Sequence, residues 1–380
     1  MTRHVTARVR DAVIANSQTG GGDLNSAARD TSGVVGAEQI HNLTRGLRAQ
    51  LYGAGPLQEL LDEPGVTDVL VNGPRAVWVD RGNGLERSDV VLGDESHVRA
   101  LAVRLAATVG RRLDDAQPAV DARLKDGVRL HAILPPLAPH GTTISLRVPS
   151  PRPLMLEDLE SSSAVGPAMS RALRGIVAAR ISFVVCGATG TGKTTVLGAL
   201  LGLVPSSQRI VIIEEAFELE PDHPHVVHLQ TRVANVEGAG TVGLDSLVRH
   251  SLRMRPDRVI LGECRGAEIR DLLTAFNTGH EGGGTTLHAN APTDFPSRVE
   301  ALGALAGMDR FAVAAQTASA LRILIHLRNV NRRRWVSEIA VITSPEPGVL
   351  TVVPAWQAPQ PGSERRGPGA QQLDKFLGGR

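Results

Sequence analysis

Apolar residues recur along the chain in two rhythms, and the change from one to the other marks where the architecture changes. From Ala37 to Leu61 the spacing of Ile40, Leu43, Leu47 and Leu51 predicts a helix, which Pro64-Gly65 interrupts. Val66 to Val79 alternates around Asn72-Gly73 and predicts two short strands joined by a turn. Asp94 to Leu113 carries Val98, Leu101, Leu105 and Val109 on one helical stripe. Val128–Leu134 and Thr142–Val148 predict another strand pair, separated by a Pro-rich loop. This α+β module ends at Pro149-Ser150-Pro151-Arg152-Pro153, a stretch that cannot be helical.

Beyond it, strand and helix patterns alternate. Ile181–Gly187, Arg209–Ile213, Val226–Gln230, Arg258–Gly262 and Thr285–Ala289 predict strands. Thr194–Val204, Gly243–Met254, Ala267–Asn277 and Asp294–Leu305 predict helices. The runs at 181–187 and 258–262 are almost continuously apolar, as buried parallel strands require. The fold class is therefore α/β, a mainly parallel sheet flanked by helices and preceded by a smaller α+β domain. Arg322–Arg328 and Trp335–Ile342 predict a late antiparallel pair. The domain reading is a mobile segment at 1–35, an α+β domain at 36–150 and a linker at 151–160. The α/β domain follows at 161–345, and a loose tail rich in Pro, Gly and Gln at 346–380.

Composition narrows the function classes. With 380 residues, 42% of them hydrophobic, and a formal charge of +2, wholesale disorder is excluded. Aromatics at 3% leave few stacking platforms for single-stranded nucleic acid, and no basic tract exists to coat one, so no nucleic-acid partner is expected. Two cysteines, Cys186 and Cys264, neither staple so long a chain nor form a metal cluster, which favours a reducing, cytoplasmic setting. The first residues lack the apolar run of a signal peptide. The stretch Ile181–Ala188 falls far short of the roughly 20 residues that span a bilayer. A soluble protein is expected, with room for peripheral membrane association.

Gly187-Ala188-Thr189-Gly190-Thr191-Gly192-Lys193-Thr194 fits G-x-x-x-x-G-K-[ST], between a predicted buried strand and a predicted helix, with Thr195 next. Glycines there let backbone N–H groups curl around phosphate oxygens, and the helix presents its positive end to them. Lys193 is one of only three lysines among 41 basic residues, so its position is conspicuous. It is assigned to the β- and γ-phosphates of a nucleotide, and the Thr194 hydroxyl to Mg²⁺.

Such a loop needs carboxylates near the metal and near the attacking water. Strand 209–213 runs into Glu214-Glu215, with Glu218 close behind, and strand 258–262 runs into Glu263. Acids at the C-terminal ends of parallel strands face the crevice where these sheets bind ligands. Glu263 and Glu214 are the catalytic candidates, and Glu214 and Glu215 are also candidates for Mg²⁺ through water. His280 and His288 bracket a Gly run and a strand, and a strand-end His288 is suited to report a γ-phosphate. Arg129, Arg147, Arg232 and the run Arg249, Arg253, Arg255, Arg258 are candidates for stabilising phosphoryl charge in trans.

Taken together these segments resemble the traffic ATPases of bacterial type II and type IV secretion systems, most closely the tight-adherence (Flp) pilus branch. The resemblance spans about residues 45–345. It rests on Gly55-Pro56-Leu57, Val71-Asn72-Gly73-Pro74, Asp121-Ala122-Arg123-Leu124, Leu134-Pro135-Pro136 and the phosphate loop. It continues through Ile213-Glu214-Glu215, Thr231-Arg232, Leu252–Arg258, Gly262-Glu263-Cys264-Arg265-Gly266 and Asn277-Thr278-Gly279-His280. It implies a RecA-like core in a hexameric ring, with the N-terminal domain closing over ATP and Mg²⁺. By the same likeness Glu263 is the general base of an atypical Walker B segment, and Glu214 lies in an acidic box. His280 and His288 form a histidine box, and Arg129 and Arg147 approach the γ-phosphate on closure. The implied role is to power pilus assembly or secretion against an inner-membrane platform protein, at the cytoplasmic face. Glu215 stands where the family usually has Asp. Two cysteines exclude a four-cysteine zinc module, and the C-terminal signature of retraction motors is missing. The competing readings are a RecA-like nucleic-acid translocase and a scaffold that binds nucleotide without hydrolysing it.

Overall fold

A computed structural model describes residues 53–149, 152–232 and 240–378. The chain divides into two compact units, 1–151 and 152–380. The segment expected to be mobile at 1–35, and the helical pattern from 37 to 52, lie outside the described residues.

In the first unit a 3-10 turn, Gly55–Leu57, leads into the short helix α1 (Gln58–Leu61). Strands β1 (Asp68–Asn72), β2 (Val77–Asp80) and β3 (Leu85–Arg87) precede helix α2 (Glu95–Thr108); β4 (Ala119–Arg123), β5 (Arg129–Ile133) and β6 (Thr143–Arg147) follow it. They form one antiparallel sheet in the order β3-β2-β1-β6-β5-β4. Alternation explains its single buried face: Val69, Val71, Leu130, Ala132, Ile144 and Leu146 turn inward and pack with Val98, Leu101 and Leu105 of α2. Asp94 caps α2 by accepting from His97 N. The short β3 and the charged β4 carry too little apolar periodicity to be read from sequence.

The second unit opens with α3 (Leu156–Ser161), α4 (Pro167–Ala178), β7 (Phe183–Cys186) and α5 (Lys193–Leu201). Next come β8 (Ile210–Glu214), β9 (Val226–Gln230), α6 (Leu244–Ser251), β10 (Arg258–Leu261) and α7 (Ile269–Asn277). Then follow β11 (Gly284–Leu287), α8 (Phe295–Leu305), α9 (Arg310–Ala320) and β12 (Ile323–Val330). The chain closes with β13 (Arg333–Glu346), β14 (Val349–Gln357), β15 (Arg365–Arg366) and α10 (Ala370–Gly378). The sheet order is β15-β14-β13-β12-β7-β11-β10-β8-β9. It is parallel from β12 to β9 and antiparallel from β12 to β15. Residues one apart on a strand serve opposite faces. Phe183 and Val185 join Leu156, Met169, Leu197 and Leu373 on one side, while Val184 and Cys186 join Leu247, Leu273, Phe295 and Val313 on the other.

Two boundaries differ from the sequence reading. Residues 156–160, assigned to the linker, belong to α3, whose Leu156 and Leu159 join the second core. The tail assigned as loose is structured: β14 pairs with β13, and α10 buries Leu373 completely. Pro and Gly in 359–369 mask these elements in the sequence, because they occupy the turns while Leu373, Phe376 and Leu377 supply the apolar face.

Candidate active site

The parallel register brings four strand ends together. Cys186 of β7 lies opposite Leu287 of β11, Thr285 of β11 opposite Leu261 of β10, and Leu261 opposite Ile213 of β8. The phosphate loop leaves β7, His288 leaves β11, Glu263 follows β10 after one glycine, and Glu214 ends β8. Glu263 is pinned on both sides to β11: Cys264 N donates to Thr286 O at 2.9 Å, and Thr286 Oγ1 donates to Gly262 O at 2.8 Å.

Lys193, the first residue of α5, is buried. Its Nζ donates to Gly187 O and Ala188 O at 3.0 Å each and stands 3.3 Å from His288 Nδ1. An ammonium only donates, so Nδ1 accepts and the neutral His288 carries its proton on Nε2. Burial pushes the Lys193 ammonium below its ordinary range, and the Glu263 carboxylate opposes that shift. Burial, and then the Lys193 charge, push His288 down as well. His288 Nε2 lies 2.9 Å from Glu263 Oε1. That oxygen is buried, and among the described residues it accepts no hydrogen bond, its near neighbour being the ring nitrogen. The other oxygen, Oε2, accepts from Arg265 at 2.6 Å, and the same guanidinium reaches Glu215 Oε2 at 3.3 Å. Glu215 is exposed and meets Arg265 through Nη1, while Glu263 meets it through Nη2.

Glu214 is buried, and its Oε1 accepts from Glu218 N at 3.1 Å and Leu219 N at 3.0 Å. It thereby folds the loop after β8 so that Glu218 Oε2 stands 3.4 Å from Thr194 Oγ1. Glu218, not Glu215, is the carboxylate at the Thr194 hydroxyl. The sequence shows both acids; only the Glu214-anchored turn decides between them.

The loop itself fits a polyphosphate. Gly190 has φ +74° and Gly192 φ +94°, a left-handed conformation that glycine adopts without strain. Helix α5 starts with no side-chain cap, so its first N–H groups point into the loop unpaired by side chains. Among the described residues no group of three or more His, Cys, Asp and Glu is arranged to hold a metal ion. Thr194 and Glu218, with Glu214 behind them, fit a Mg²⁺ that phosphate and water oxygens complete.

Other candidates fall elsewhere. His280 precedes β11 at the start of the parallel strands, the end opposite the phosphate loop, so the two histidines do not meet within the chain. The glycines between them are close-packed: a Cβ on Gly283 would stand 2.2 Å from the Phe276 ring and 2.5 Å from Val259 O. Arg258 is buried at that same far end, donating to Gln208 Oε1, Gly282 O and Val177 O, which excludes a role in trans. Arg249 is held by Asp245 and Asp271 on α6 and α7. Arg232 is exposed, bridged to Val242 and donating to Gly240 O at 2.8 Å. Arg129 and Arg147 are directly opposed on β5 and β6 of the first unit, and Arg147 donates to Asp68 Oδ1 at 3.1 Å. Both cysteines are buried free thiols.

Two further groups escaped sequence reading. Arg265 organises Glu263 and Glu215, but in a chain this rich in arginine nothing marks it out. His326, buried on β12, holds the backbone just after His288: its Nε2 donates to Asn290 O at 3.1 Å, and its Nδ1 lies 2.8 Å from Ser337 Oγ.

The family model described as type II/IV secretion system protein matches residues 50–345. A putative conjugal transfer protein of Mycobacterium tuberculosis (strain H37Rv) is 53% identical over 328 residues, covering 84% of this chain and 93% of that protein. The type IV secretion system protein VirB11 of Brucella suis is 34% identical over 262 residues, 62% of this chain and 72% of its own. Among solved structures, the Legionella pneumophila ATPase DotB superposes with a TM-score of 0.52 at 21% identity, covering 75% of this chain and 79% of DotB. The second unit has a RecA-like α/β fold. With the family match covering most of its length, the chain belongs to the type II/IV secretion system protein family.

Proposed function

We propose that the protein is an ATP hydrolase whose turnover drives pilus assembly or protein secretion. The observation that carries this reading is the buried Oε1 of Glu263, which accepts no hydrogen bond among the described residues and sits beside His288 and, through it, Lys193. A carboxylate with free accepting capacity next to a phosphate loop is placed to take a proton from an attacking water. Arg265 fixes the other oxygen of that carboxylate and so aims the first. Gly187–Thr195 hold the nucleotide, with Lys193 on the β- and γ-phosphates, and His288 senses the γ-phosphate. Thr194 and Glu218, backed by Glu214, hold Mg²⁺, which when bound offsets phosphate charge.

The finer reading extends to assembly. A homo-hexamer in which Arg129 and Arg147, and Arg232 at subunit edges, add positive charge at the nucleotide would make turnover depend on the ring. His280, away from its own phosphate loop, then belongs to communication between subunits rather than to chemistry. The partner is an inner-membrane platform protein contacted from the cytoplasmic face, and the sequence motifs favour the tight-adherence pilus branch. Among the described residues no helix is long and apolar enough to cross a membrane.

Turnover and nucleotide binding measured on wild type, Glu263→Gln and Lys193→Ala test the core of this. Glu263→Gln should bind Mg-ATP within a few-fold of wild type and lose on the order of 10²–10⁴ in kcat, as for removal of a general base. Lys193→Ala should lose binding while remaining folded. A Glu263→Gln variant that turns over ATP normally, or a wild type inert in every oligomeric state, would refute the reading.

A further inference from the structure

The phosphate loop is gripped from outside by a hairpin that no sequence motif marks. Strands β12 and β13 join through Asn331 and Arg332, both left-handed at φ +50° and +66°, in a tight two-residue turn. The pairing sets Asn329 directly opposite Arg334, so their side chains leave the sheet on one face. Both reach the same atom: Gly190 O accepts from Arg334 Nε at 2.8 Å and from Asn329 Nδ2 at 3.2 Å. Three residues away, Leu327 O of β12 lies so close to Gly187 that a Cβ there would stand 2.9 Å from it. The hairpin thus touches the loop at its first glycine through backbone and at Gly190 through two donors.

The consequence follows from the planarity of the peptide. In a trans peptide the C=O and the next N–H point in opposite directions. Turning Gly190 O toward the hairpin therefore turns the Thr191 N–H away from it. Gly190, at φ +74°, would otherwise be free to rotate that plane. We propose that Arg334, assisted by Asn329, is a positioning residue for nucleotide binding. It locks the Gly190–Thr191 peptide with its N–H presented to a phosphate oxygen. This rests on the reading of the loop as a nucleotide site. It adds a residue about 140 positions downstream, whose guanidinium is spent on a carbonyl rather than on phosphate.

The test uses the full-length protein and a fluorescent ADP analogue with Mg²⁺. Arg334→Ala should weaken binding roughly tenfold, the scale of one lost hydrogen bond from a charged donor. It should raise KM for ATP in parallel, with kcat at saturation nearly unchanged. Asn329→Ala should do the same more weakly, and the two effects should not add. Arg334→Lys should recover part of the loss. Arg333→Ala, on the opposite face of the same strand, should match wild type. Amide exchange of the nucleotide-free protein should quicken in the peptide covering Gly187–Thr194 in Arg334→Ala and not in Arg333→Ala. If wild type binds the analogue and Arg334→Ala binds it equally well, the inference fails alone. The inference also fails if kcat and melting temperature fall together while KM holds. If wild type itself binds none, the nucleotide reading fails and takes this role with it.

Discussion

Glu263 and His288 meet across the ends of two adjacent strands, carboxylate Oε1 and imidazole Nε2 2.9 Å apart, in a chain that separates them by 25 positions. Their meeting is a product of register. Leu261 of β10 pairs with Thr285 of β11, so the residues just past each strand emerge side by side. Lys193 completes the line from the third strand, and its charge settles which ring nitrogen of His288 carries the proton.

That line predicts an acid limb in turnover. Burial and the Lys193 charge lower the His288 pKa below the ordinary 6.5. At neutral pH the ring is therefore uncharged, and it gains a proton only below that value. Protonated, it would present Nδ1–H to the Lys193 ammonium, and the contact at 3.3 Å becomes repulsive. Turnover should fall as pH drops, with a midpoint below 6.5, and His288→Asn should abolish that limb. Stability has the same sign. Burial also lowers His326, so the unfolded chain binds more protons than the folded one below pH 6.5. The full stability holds above 6.5 and declines as pH falls through the lowered values. A kcat profile and urea melts between pH 5 and 8 check both.

Much of this was legible in the chain because it depends on local chemistry. The phosphate loop is contiguous, and the strands that lead to Glu214 and Glu263 are apolar runs of ordinary length. What was hidden depends on partners distant in sequence. Glu218 displaces Glu215 at Thr194 because Glu214 accepts two backbone N–H groups and turns the loop. Arg265, Asn329 and Arg334 gain meaning only from the carboxylate or carbonyl they reach. The Gly282–Gly284 run looks flexible in sequence but is packed, since Phe276 and Phe183 press on a backbone with no Cβ.

Arg258 was a candidate for chemistry and is instead a structural pin. The residue is 1% exposed, and its guanidinium donates to two backbone carbonyls and one amide oxygen, joining α4, β10 and the segment before β11. Burial lowers its pKa to about 10, still charged at any working pH. Arg258→Ala should cost about 3 kcal/mol, because it strands those acceptors as well as leaving a void. Nucleotide affinity per folded molecule should stay at the wild-type value. Urea denaturation beside a binding titration separates this from a catalytic role.

Arg147 should behave in the opposite way. Its bond to Asp68 is made by an exposed guanidinium, and such pairs contribute about 0–1 kcal/mol. Arg147→Ala should therefore melt within a degree or two of wild type and bind ATP normally. Turnover of the assembled protein should nevertheless fall, if this arginine acts on the nucleotide in the ring. Rates measured against protein concentration, with oligomer mass followed in parallel, read the difference. A normal rate in the assembled variant would leave Arg129 and Arg232 as the candidates.

The C-terminal helix supplies a stability test of the part of the fold that the sequence disguised. α10 packs Leu373 into the core shared with Leu173 and Met169 of α4, and Leu377 lies 3.1 Å from where a Cβ on Gly175 would stand. The Phe376 ring sits under the Arg322 guanidinium, 5.7 Å from ring centre to charge. Leu373→Ala removes a fully buried side chain from a site walled by a helix and a sheet, where collapse is limited. It should destabilise the protein by about 3 kcal/mol, as large-to-small core changes do. A tail that only trailed from the domain would lose nothing. Thermal and urea melts of the full-length variant decide between them. Because α10 lies on the same face of the sheet as α5, nucleotide binding by the folded fraction provides the internal control and should be unchanged.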